Sequence, residues 1–108
     1  MKTAGVLEGE ACEGHGSEVR RANRAVRLLS NIVSVYGGKL DARGTVEKNG
    51  HRTWAVDFFD GLKYVSDRMA MCQALLSSDF GVVAIEDRCN GSTVLFVNHP
   101  AFDAEKEG

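Results

Sequence analysis

From Ser17 onward the apolar residues Val19, Ala22, Val26, Leu29, Val33 and Tyr36 fall alternately three and four apart. Residues so spaced share one face of an α-helix, so the run predicts an amphipathic helix. Ala25, Leu28, Ile32 and Val35 widen the stripe towards the breadth that a core-facing helix buries. Ser17 is a good N-cap, with Glu18 in the first turn where the helix dipole favours an acid. Gly37-Gly38 supplies the positive φ that closes a helix. After these glycines the period changes to two. Leu40, Ala42 and Val46 occupy even positions, and Asn49-Gly50 marks a two-residue hairpin turn. The run from His51 to Phe59 then places Trp54, Val56 and Phe58 on one face. Thr53, Ala55 and Asp57 take the other.

At Asp60-Gly61 the pattern divides. Either this is a second tight turn into a short strand over Leu62–Val65, or Asp60 caps a helix starting near Leu62. The helical alternative rests on Leu62, Val65, Met69, Cys72 and Leu76, which also keep three-and-four spacing. The turn is preferred, because Ser66-Asp67 offers an equally good helix start further on. The second helix is then expected from Asp67 to Ser78, burying Met69, Cys72, Leu75 and Leu76. Asp79, Phe80 and Gly81 end it. Val82–Asp87 and Ser92–Val97 read as strands joined around Asn90-Gly91. Val83 is expected to share a face with Ile85, and Val94 with Phe96. Both strands carry apolar residues on both faces, as central strands do.

The order is α-β-β-(β)-α-β-β. It predicts an α+β, two-layer architecture: an antiparallel sheet of four or five strands with two helices packed on one face. Residues 1–16 read as a flexible Gly/Glu-rich arm, 17–98 as the single α+β domain and 99–108 as a charged tail. The two halves echo each other. Leu28-Leu29-Ser30, Tyr36-Gly37 and Asn49-Gly50 return in the same order as Leu75-Leu76-Ser77, Phe80-Gly81 and Asn90-Gly91. In element order, the helix–meander–helix portion resembles the layout of double-stranded-RNA-binding domains. Recognition there depends on basic residues at phosphates, whereas the second helix begins Ser66-Asp67-Arg68.

Composition narrows the class. The chain has 108 residues, 44% hydrophobic and 26% charged, which fits one folded domain. No apolar run is long enough for a membrane-spanning helix, and Met1 to Gly16 lack the apolar core of a secretory signal. Three cysteines, Cys12, Cys72 and Cys89, are an odd number for a disulfide framework. Free thiols in a reducing cytoplasm are therefore expected. A net charge of −2 disfavours strong non-specific nucleic-acid binding by the domain as a whole.

Against that acidic balance stands one basic cluster: Arg20, Arg21, Arg24 and Arg27. On a helix Arg20, Arg24 and Arg27 form one ridge away from the apolar stripe, with Arg21 beside it. The ordinary reading is a solvated helix face. The functional one is a docking surface, because guanidinium forks suit carboxylates and phosphates. It leads to a non-enzymatic macromolecule-binding module (an adaptor, regulator or small inhibitor protein) that docks an acidic protein partner through Arg20, Arg21, Arg24 and Arg27. The Gly/Glu arm could also fold back on these arginines. An RNA- or DNA-binding domain using the same ridge is the first alternative, and a small metal- or thiol-dependent enzyme the second. For the enzyme, Cys12 and His15 have C-x-x-H spacing, with His51, Cys89 and His99 elsewhere, but a structural zinc wants four ligands. Cys89 beside Arg88 could be activated, yet no catalytic motif surrounds it. Asp57, Asp60, Glu86 and Asp87 fall near strand ends, where turn chemistry also selects acids. No cofactor, metal or membrane is expected. A homodimer is expected where an apolar face lies open.

Overall fold

The computed structural model describes the backbone of residues 13–102 and the side chains from Arg20 to Phe102. Six elements follow in order: α1 (Glu13–Ser34), β1 (Lys39–Lys48), β2 (His51–Phe58), α2 (Val65–Leu76), β3 (Gly81–Asp87) and β4 (Thr93–Asn98). The strands make one antiparallel sheet in the order β1-β2-β4-β3. Both helices lie on one face of it, giving the expected α+β two-layer architecture. Ala22, Ala25, Leu29 and Val33 of α1 and Met71 and Leu75 of α2 pack there on Val56, Phe58, Leu95 and Val97. The other face carries a smaller cluster of Ala55, Val94 and Phe96, flanked by Val46, Val83 and Ala84.

The helix α1 is already formed at Glu13, ahead of the expected cap at Ser17. Residues 1–12 and 103–108, most of the expected arm and tail, lie outside the described residues. Two members of the expected stripe are exposed, Leu28 and Val35. At 100° per residue they fall about a third of a turn from the centre of the seam. The helix closes as the glycines predict. The Gly38 N–H donates to the Val33 carbonyl at 2.9 Å and that of Gly37 to Ser34 at 3.1 Å. Gly37 has φ +85°, which completes a Schellman close. The same close ends α2. There the Phe80 N–H donates to Leu75 at 3.0 Å and that of Asp79 to Leu76 at 3.2 Å, with Asp79 at φ 69°.

No strand forms over residues 62–65, so the sheet has four strands and the meander two. The likeness to the RNA-binding layout ends with that missing strand. Side chains have taken the backbone groups a fifth strand would use. The Leu62 N–H donates to Thr93 Oγ1 at 3.1 Å, and the Leu62 carbonyl accepts from Arg68 Nε at 2.6 Å. Gly61, at φ +80°, lets the loop press onto the Gly91 carbonyl, which a Cβ would approach to 2.5 Å. The helix α2 starts at Val65, without a side-chain cap at Tyr64 or the expected start at Ser66-Asp67. It buries Met71 and Leu75, leaves Cys72 half-buried and exposes Met69 and Leu76. The expected inner face is thus largely the outer one. Apolar residues surround α2, so spacing alone does not choose between its faces.

The register shifts in both outer strands. In β1 the break lies between Leu40 and Thr45, around Gly44 at φ +92°. Leu40 therefore packs with the main core and Val46 with the opposite cluster. In β3 it lies between Val82 and Ala84. Val83 and Ile85 consequently face opposite sides, and β3 is an edge strand rather than a central one. Val94 and Phe96 do share a face, as do Trp54, Val56 and Phe58. The core also extends past Asn98. Ala101 and Phe102 are buried, and Phe102 faces Phe80 and His99.

Candidate docking surface on the first helix

The ridge lies where the helical spacing puts it. Arg20, Arg24 and Arg27 fall within about 60° of one another and opposite the buried Leu29 and Val33. Arg21 flanks them, and all four are exposed. Among the described residues none of the four guanidinium groups has an ion pair or hydrogen bond. The four arginines elsewhere all do. Arg43 pairs with Asp41 at 2.5 Å, Arg52 with Glu47 at 3.6 Å, Arg68 with Asp87 at 2.7 Å and Arg88 with Glu86 at 3.1 Å. These contacts register on the acids. The hydrogen bonds from Arg43 hold the Asp41 carboxyl down at about 2. Lys48 first, and then Arg88, keep Glu86 below the usual range, and Arg68 with Thr93 does so for Asp87.

Two shallow recesses border the ridge. One of about 250 Å³ lies among Arg20, Asn23, Arg24 and Arg27. The other, about 340 Å³, has Arg21 and Arg24 on one side, Ser78, Asp79 and His99 on another, and Leu28 in its wall. The His99 imidazole reaches it from between the rings of Phe80 and Phe102, at 4.6 and 5.7 Å. Its Nδ1 accepts the Ala101 N–H at 3.1 Å. Burial pushes its pKa down and Arg21 adds to that, against the Ser78 backbone and Asp79. A partner carboxylate can therefore meet exposed guanidinium groups, with an apolar wall beside them. Neither His99 nor Ser78 could be placed here from sequence, because only the folded chain brings 78–79 and 99–101 to α1.

The other candidates are dispersed. Glu86 is taken by Lys48 and Arg88, and Asp87 by Arg68 and Thr93 Oγ1. They face opposite sides of the sheet, and Asp60 stands exposed in its turn. Among the described residues no three of His, Cys, Asp and Glu come together in a way that could hold a metal. Cys12 lies outside those residues, and so does the His15 side chain. Cys72 and Cys89 are free, and the Arg88 guanidinium turns to Glu86. Phe59 and Tyr64 are both exposed. No helix among the described residues is long and apolar enough to cross a membrane. No protein-family model, curated protein or solved structure matches this chain.

Proposed function

We propose that the chain is a non-catalytic macromolecule-binding module, an adaptor, regulator or small inhibitor protein, whose α1 arginine ridge docks an acidic protein surface. One observation carries the reading. Every arginine outside α1 holds a carboxylate, while Arg20, Arg21, Arg24 and Arg27 have none among the described residues. Among the described residues an incoming acid has no internal one to displace, and a guanidinium fork can grip it with two hydrogen bonds. A protein is favoured over nucleic acid because Arg20 to Arg27 span only about 10 Å. The chain around them is acidic, at −2, and phosphate backbones reward broader basic surfaces. Free Cys72 and Cys89 suit a reducing compartment, and the reading sets the protein in the cytoplasm.

Immobilised chain and an Arg20→Glu, Arg24→Glu, Arg27→Glu variant, exposed to extract of the native host, test the proposal. Quantitative mass spectrometry should find an acidic protein held by the first and lost from the second by at least tenfold, about 1.4 kcal/mol. Circular dichroism should be unchanged. Equal capture by both removes the ridge from any role. RNA retained at low salt and released steeply as salt rises would turn the reading to nucleic acid.

A further inference from the structure

Seven large hydrophobic side chains stand open to solvent among the described residues, and five of them lie between Phe59 and Leu76. Three are on α2: Val65, Met69 and Leu76, exposed by 69, 63 and 64%. With half-buried Cys72 they form one narrow stripe, since 65, 69, 72 and 76 fall within about 60° on a helical wheel. It is turned about a third of a turn from the buried pair Met71 and Leu75. Four-three-four is also the spacing of a two-helix seam, in which side chains of one helix seat between those of the next.

We infer that this stripe pairs, antiparallel, with the same stripe of a second copy of the chain. The spacing suits that occupant because it reads the same in both directions, and so does the charge along its borders. About a two-fold axis through the middle of α2, Val65 meets Leu76 of the second copy and Met69 meets its Cys72. A self-complementary surface of this kind is what an isologous dimer requires. Charge agrees with it. The residues along the solvent side of the stripe are Ser66, Ala70, Gln73 and Ser77, all neutral. Arg68, on the other side, is engaged by Asp87 at 2.7 Å. A second copy therefore approaches without like-charge repulsion, whereas two α1 ridges would repel. Phe59 and Tyr64 are also exposed, just before the helix. The stripe leaves the α1 ridge free, so this inference stands or falls apart from the proposed docking.

Sedimentation equilibrium of the chain from about 10 µM to about 1 mM tests it, a range suited to a small interface. The expected result is a rise from the 11.7 kDa of one chain towards twice that mass. Met69→Glu, a change at an exposed position, should weaken self-association at least tenfold with its helical circular dichroism intact. The triple arginine variant should still dimerise. A second measurement fixes the direction of the pair. Two chains are mixed, both with Cys12→Ser and Cys89→Ser, one carrying Met69→Cys with Cys72→Ala and the other keeping Cys72, and diamide should link them into a covalent dimer. The introduced thiol and Cys72 of the second copy lose two electrons and two protons to the diamide. A strictly monomeric chain, or a dimer untouched by Met69→Glu, overturns the inference. Crosslinking of Cys72 to Cys72 without the introduced thiol would overturn the antiparallel arrangement.

Discussion

The Nδ1 of His99 accepts the Ala101 N–H, so the imidazole that fits this fold is the neutral tautomer with its proton on Nε2. A second proton would have to sit on Nδ1 and break that bond. The unfolded imidazole takes its proton near the ordinary value of 6.5, the folded one only at lower pH. Between those values the unfolded state binds more protons, so stability is full above the window and falls as pH drops through it. Arg21 adds to this effect, while Asp79 and the Ser78 backbone oppose it. Thermal unfolding at about pH 7.5 and about pH 5.5 should show a larger loss of Tm for the wild-type chain than for His99→Gln. Equal losses would mean that other groups carry the acid sensitivity. None of this could be read from His99 in the sequence, where it opens what looks like a tail. The apolar pair Ala101 and Phe102 was the available signal, and it is too short to show a period.

The element scale separates what was legible from what was not. The α1 stripe, the Gly37-Gly38 close and the Asn49-Gly50 turn each have one cheap conformation, and the fold uses it. Faces were legible where the period was unbroken, as at Trp54, Val56 and Phe58. They were not legible in β1 and β3, where a bulge turns the later residues over, nor in α2, where apolar residues point all ways. The lost strand at 62–65 depended on side chains of later elements, Thr93 far along the chain and Arg68 six residues on in α2. The ridge was legible because helical spacing alone builds it. That its guanidinium groups have no acid partner among the described residues was not, since local spacing pairs Arg43 with Asp41 and Arg88 with Glu86 but only the fold brings Asp87 to Arg68. The two helix closes differ in one testable respect. Asp79 stands at φ 69° where α1 has Gly37, and an L-residue there is strained. Asp79→Gly should stabilise the fold by about 0.5 to 1 kcal/mol, a few degrees in Tm. A lower Tm would show that the Asp79 side chain gives more than its backbone costs.

In the whole molecule, helix, close, strand, Asn-Gly turn and strand occur twice, and the sheet order β1-β2-β4-β3 is symmetric about the β2–β4 boundary. That arrangement fits the echo between the two halves of the sequence. It also sets a gradient of local stability. The inner strands are paired on both sides, with Leu95, Val97 and Val56 sealed from water. Amide hydrogen exchange should therefore be slowest in β2 and β4 and fastest in the irregular stretch of β1 around Arg43-Gly44. Uniform protection across the four strands would contradict this.

Among the described residues, interruptions of the ladder occur only in the two outermost strands. A flat, regular border is where sheet proteins recruit further chains and grow into ribbons or fibrils. Here the kink around Gly44 spoils one border and the extra residue at Val83 spoils the other. Both irregularities work against edge-to-edge pairing while the apolar side chains of α2 stay uncovered. Straightening either border by deletion should cost the protein solubility before it costs it structure.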